Sequence, residues 1–100
     1  MLSYIFVTTL CDMKLIYDPT KDACNQEKHG LSLQEAIHLN WDNALIWKDT
    51  RHDYGEVRQV ALATLGNRVH VVVFVDLPHG RRIISLRKAN AREVTRYVNS

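Results

Sequence analysis

The sequence predicts an α+β protein: a small antiparallel β-sheet with helices ahead of it and one helix behind. Three observations carry that prediction. Four β-prone runs follow one another between residues 44 and 88, separated only by short polar or glycine-containing breaks. Capped helix starts precede these runs, and another follows them. The length, 100 residues, suits one domain with a single modest core. Consecutive strands joined by short turns make a meander, so the expected order is β-α-α-β-β-β-β-α.

Met13 to Tyr17 (MKLIY) is apolar and β-prone and reads as the first strand of a domain over 13–100. Residues 1–12 read as an extension from an upstream start or as an extra edge strand. They lack the basic n-region and small-residue cleavage site of a signal peptide. Asp18-Pro19 then opens a helix. The aspartate accepts from free backbone N–H groups, and proline at the first helical position loses no hydrogen bond. Gly30 ends this helix at about His29, because glycine takes the left-handed conformation a helix exit needs. Ser32 and Glu35 form an expected capping box, with Leu31 and Ala36 as its staple, for a second short helix to about Leu39.

Ala44 to Lys48 (ALIWK) is the next expected strand, and Asp49 to Gly55 a polar loop. Val57 to Leu65 is a strand with its turn at Leu65-Gly66-Asn67. Arg68 to Leu77 (RVHVVVFVDL) has the near-continuous valines of a central strand covered on both faces. Pro78-His79-Gly80 turns the chain into a last strand, Arg81 to Lys88. Asn90, paired with Glu93, caps a final helix from Ala91 to about Val98.

Hydrophobic residues make up 46% of the chain and charged residues 24%, an ordinary globular balance. The longest apolar stretch, VHVVVFV, is far short of the roughly 20 residues that span a bilayer, so no membrane is expected. Cys11 and Cys24 fit neither a zinc nor a CxxC spacing, and a reduced, cytoplasmic setting is the default. Charge is unevenly spread. Residues 78–100 hold six lysines and arginines against one acid, a net +5, whereas the first 77 hold seven against ten, a net −3. Such a basic end fits an anionic partner, nucleic acid or an acidic protein surface. The plainer reading is a solvated helix beside an edge strand.

Strict alternation puts Arg81, Ile83, Ser85 and Arg87 on one face of the last strand and Arg82, Ile84, Leu86 and Lys88 on the other. Arg82 and Arg87 then face opposite ways unless a bulge intervenes, so one is expected to be structural, paired with an acid, and the other functional. A guanidinium fork suits phosphate oxygens. Lys28-His29 ends the first helix. Cations are favoured there by the helix dipole without any function, but histidine also titrates near neutral pH and can serve as acid or base. Glu56 and Arg58 share a face, as an ordinary surface pair or as part of a site. His38, His52, His70 and His79 are scattered with no i, i+4 pair, so no metal or other cofactor is expected. Trp41 and Trp47 read as core anchors or as base-stacking platforms.

The ordered motifs go further than the pattern. They are D-P-x-K (Asp18, Pro19, Lys21) and N-x-x-K-H-G-[apolar]-S-[apolar]-x-E-A (Asn25 to Ala36), then E-x-R (Glu56, Arg58) and R-I-I-S-x-R-K-A (Arg82 to Ala89), followed by Glu93 and Tyr97. Over residues 13–100 the chain resembles the BrnT-type toxins of bacterial type II toxin–antitoxin systems. The resemblance implies a RelE/ParE-like fold and a ribonuclease that stops translation. It also implies a cognate, DNA-binding, BrnA-like antitoxin whose complex with the toxin, as a dimer or heterotetramer, represses its own operator DNA. Residues 1–12 precede the usual start of that family.

A metal-free ribonuclease must take the ribose 2′-OH proton, stabilise the phosphate oxygens and protonate the leaving 5′ oxygen. The expected catalytic set is His29 as acid or base, Glu56 as alternative base, Arg58, Arg82 and Arg87 as phosphate grips, and Tyr97 to align or protonate. Lys28, Lys21 and Lys88 are the expected RNA-binding cations. A different class of function is a non-catalytic toxin-fold module that acts with its antitoxin in repression. The ParE side of the fold also raises inhibition of DNA gyrase, on fold analogy alone.

Overall fold

The computed structural model describes residues 5–8, 14–51 and 55–100. Six strands form one sheet in the order β1-β2-β6-β5-β4-β3. They are β1 (Ile5–Thr8), β2 (Lys14–Tyr17), β3 (Leu45–Lys48), β4 (Gln59–Leu65), β5 (Arg68–Leu77) and β6 (Gly80–Lys88). Helix α1 (Pro19–His29) and a 3₁₀ segment (Leu33–His38) lie between β2 and β3, and α2 (Ala91–Val98) follows β6. Residues 1–4 and 9–13, with Cys11, and His52 in the Asp49–Gly55 loop lie outside the described residues. No helix among the described residues is long and apolar enough to cross a membrane.

The α+β class stands, and β3 to β6 form the antiparallel meander. The sheet as a whole is mixed, however. β2 lies parallel to β6, with Leu15 beside Arg81 and Ile16 beside Arg82, while β1 is antiparallel to β2. The strand read as an edge from its charges, β6, is therefore internal, between β2 and β5. Gly80 permits that neighbour. A Cβ at Gly80 would collide with the backbone carbonyl of Lys14, so only glycine lets β2 approach there.

Helix α1 forms as its caps dictate. The Asp18 side chain accepts from the Thr20 N–H at 2.9 Å, and Gly30, at φ +70°, donates its N–H to the Gln26 carbonyl at 2.8 Å. The next segment differs from expectation: it is 3₁₀, and the Ser32–Glu35 box does not form. The Ser32 hydroxyl accepts from the Gln34 N–H and donates to Asp22 Oδ1, which also accepts from the Leu33 N–H at 2.6 Å. A carboxylate from α1 thus anchors the start of this segment in place of the local glutamate, accepting a charge-assisted hydrogen bond from the free Leu33 N–H and another from the Ser32 hydroxyl. The Asn90–Glu93 box does form, at 2.9 and 2.8 Å.

Both faces of the sheet are packed. On one, Leu15, Phe74, Val72, Ile83 and Leu86 meet Leu33 and Ala36 of the 3₁₀ segment. On the other, Val60, Leu62, Val71 and Trp47 meet Val94 and Tyr97 of α2. Each large side chain removed from water contributes about 1.5–3 kcal/mol, and β5 contributes to both cores, as its valine run implies. Trp41 is an anchor of the first face: its indole N–H donates to the Ala36 carbonyl, and it meets Phe74 edge-on at 5.3 Å.

Candidate active site

The alternation of β6 breaks once. Val73 pairs with Ser85 and Phe74 with Ile83, so Ile84 is an extra residue in β6. The consequence is one of parity. Ile83 and Leu86, three residues apart, both enter the first core. Arg81 stacks on Phe74 and Trp41 of that face, at 4.6 and 4.7 Å, and pairs with Asp76. Arg82 and Arg87 fall together on the second face, where they stand opposite Val75 and Val71. The expectation from strict alternation is corrected: the bulge puts both arginines, with Ser85, on the α2 side.

Glu56 and Arg58 join them. The Glu56 carboxylate accepts from Arg82 Nη2 at 2.5 Å and from Arg58 Nε at 3.5 Å, and all three side chains are between a fifth and a third exposed. The hydrogen bond from Arg82 holds the Glu56 carboxyl below the usual carboxylate range against the opposing effect of burial, and the charges of Arg82 and Arg58 add to it. Glu56 is thereby kept ionised and fixed between two cations.

The two arginines of β6 are used differently. Arg87 gives both ends of its fork to Glu93 on α2, at 2.8 and 2.7 Å, and one nitrogen also reaches the Lys88 carbonyl. That pairing raises the Arg87 pKa and lowers that of Glu93. Arg82 spends a single nitrogen on Glu56, and a guanidinium has five N–H donors. Both arginines therefore have acidic partners, but Arg87 is held at both ends of its fork, whereas Arg82 is held at one nitrogen and keeps more of its donors for a ligand. At the Arg87–Glu93 pair a cleft of about 420 Å³ is lined by Trp47, Asp49, Val73, Ser85, Arg87 and Glu93, among others; Glu56, Arg58 and Arg82 share the sheet face but do not line it. Trp47, weighed in the sequence as anchor or platform, lines this cleft and carries the Arg96 guanidinium 4.0 Å above its ring. Tyr97 packs on the same face, half-buried.

Lys28 and His29 are exposed at the end of α1, as is Lys21 on the same helix; Lys88 is exposed at the end of β6. No hydrogen bond or ion pair among the described residues links Lys28 or His29 to the Glu56–Arg58–Arg82 group. What the corner holds is backbone. Asn25, almost fully buried, donates to the carbonyls of Leu31 and Leu86 and accepts from the Leu86 N–H, so its amide stands where a neighbouring strand would. In the sequence Asn25 and Ser85 stand within motifs and Asp49 opens a polar loop, with no functional role read for any of the three. An odd spacing between two core-seeking residues, Ile83 and Leu86, was the available signal for the bulge.

A family model described as "Ribonuclease toxin, BrnT, of type II toxin-antitoxin system" matches residues 17–93. That span holds α1, the whole meander, Glu56, Arg58, Arg82, Arg87 and Glu93. No individually curated protein matches the chain. With more than three quarters of its length matched, the chain belongs to the BrnT family of ribonuclease toxins of type II toxin–antitoxin systems.

Proposed function

We propose that this toxin is a metal-independent endoribonuclease that cuts RNA on the α2 face of its sheet. The observation that carries the reading is the ionised Glu56 held by Arg82, whose remaining donors have no hydrogen-bond partner among the described residues, on the sheet face where Ser85 and Arg87 line an open cleft. Glu56 takes the proton of the ribose 2′-OH. The 2′ oxygen then attacks the adjacent phosphorus, and the bond to the 5′ oxygen breaks as that oxygen gains a proton. Arg82 and Arg58 neutralise the charge that builds on the non-bridging oxygens. Tyr97 shares this face and is the proposed acid. His29 belongs to the separate corner of α1, with Lys28, Lys21 and Lys88 as more distant cations for the RNA backbone.

A toxin of a type II system has an antitoxin partner. Under the same proposal the fold is RelE/ParE-like, and the antitoxin is a BrnA-like DNA-binding protein that joins the toxin in a heterotetramer on operator DNA. Exposed Val57, Val98 and Ile46 favour a protein contact. The test of the catalytic reading uses end-labelled RNA in excess EDTA with the wild type, Arg82→Ala and His29→Ala. Cleavage by the wild type that is lost in Arg82→Ala is the expected result. No cleavage by folded wild type overturns it and leaves a toxin-fold module that acts through its antitoxin.

A further inference from the structure

We infer that the cleft between β3, the middle of the sheet and α2 is a subsite for one unstacked nucleotide of single-stranded RNA, next to the cleaved phosphate. This rests on the ribonuclease reading and says which part of the substrate the face holds. Three features of the cleft point to a base. Its floor is apolar, made by Val60, Val71 and Val73, and suits the flat face of a heterocycle. One wall is the Trp47 indole, and base–indole stacking tolerates any sequence. The bulge sets Ser85 into the same cleft, opposite Val73, and its hydroxyl has no hydrogen-bond partner among the described residues. A hydroxyl both donates and accepts, so Ser85 can meet the polar edge of a base lying on the valines.

The position of the cleft relates it to the chemistry. Ser85 lies between Arg82 and Arg87 on one strand face, so a base over Ser85 has its own phosphates within reach of Arg82. At about 420 Å³ the space lies in the range of small-ligand pockets and has room for one nucleotide. Bases inside an A-form duplex are stacked and present no face to such a cleft, whereas single-stranded loops and ends do.

The experiment measures binding with cleavage blocked. Wild type, Trp47→Ala, Trp47→Phe and Ser85→Ala are titrated with a short 2′-fluoro single strand, which lacks the nucleophile, and with the duplex of the same sequence. Cleavage of the unmodified strand is followed in parallel. Trp47→Ala is expected to weaken single-strand binding by about 5- to 100-fold, from the usual worth of one stacked base, and Trp47→Phe to restore most of it. Ser85→Ala is expected to flatten the preference among strands that differ in one base. The duplex is expected to bind at least tenfold more weakly than the single strand. Equal binding by folded Trp47→Ala and wild type, while the wild type still cleaves, overturns the subsite alone. Absence of cleavage by the wild type overturns the ribonuclease reading instead.

Discussion

Two polar regions of this molecule use the same kinds of residue to different ends. At the α1 corner the polar side chains that are buried or half-buried tie the chain together: Asn25 completes the edge of β6, and Asp22 ties down Ser32 and Leu33. Lys28 and His29 stay in solvent. On the α2 face the charged side chains serve one another, Glu56 with Arg58 and Arg82, and Arg87 with Glu93, the latter pair lining an open cleft. The contrast teaches that a motif dense in quotable residues can be an architectural joint. Chemistry is better sought where charges are held in pairs beside empty space, with donors left over.

The sharpest way to break this comparison is Glu56→Gln, which keeps the shape and removes the base. Cleavage should fall by about 10²–10⁴-fold. His29→Ala should cost less than about tenfold on the scale of one general acid–base group. If initial rates with labelled RNA show the reverse order, the corner is the active site and the face is the joint.

Arg82→Ala is next, with an expected loss of about 10²–10³-fold in kcat. Arg87→Ala should instead act mainly on α2, lowering the urea midpoint while leaving kcat within about tenfold, because both ends of its fork already bind Glu93. Equal kcat losses in the two variants would show that Glu93 gives way to substrate and that both arginines grip phosphate.

At the corner the expected effects are on stability. Asn25→Ala leaves the Leu86 N–H and two carbonyls without partners and should cost about 2–4 kcal/mol in denaturant unfolding. Gly30→Ala has room for its methyl group but must adopt φ +70°, so about 1–2 kcal/mol is expected from backbone strain alone. A fully stable Asn25→Ala protein would remove the architectural reading.

The smallest expected effect is pH-dependent. Glu56 and Glu93 have carboxyls lowered by Arg82 and Arg87 respectively. A group whose folded value is depressed stabilises the fold above its unfolded value, about pH 4.3, and that contribution disappears as pH falls through the lower folded value. Unfolding midpoints should therefore drop on acidification below about pH 4.3, and less so in Arg82→Ala, where Glu56 has lost its main partner. An acid loss of unchanged size in that variant would assign it to other carboxylates.

Local signals were legible in the sequence wherever a few adjacent residues settle the matter. Asp18-Pro19 and Gly30 bound α1, Asn90 with Glu93 starts α2, and the valines of β5 announce a strand with two covered faces. Caps and turns are decided over three or four residues, so no distant partner enters. The ordered E-x-R and R-I-I-S-x-R-K-A residues likewise pointed to the BrnT family. Ser32–Glu35 differs for the opposite reason: a distant carboxylate, Asp22 of α1, takes the Ser32 hydroxyl and the Leu33 N–H.

What the tertiary structure alone decided is which residues face each other. Whether Arg82 shares a face with Arg87 depends on one extra residue at Ile84. That residue is accommodated because Ile83 and Leu86 both find space in the same core. Whether β6 is an edge depends on β2 returning beside it past Gly80. Apolar burial is non-directional and acts between residues far apart in the chain, so it can overrule the period of two that strict alternation along β6 would impose.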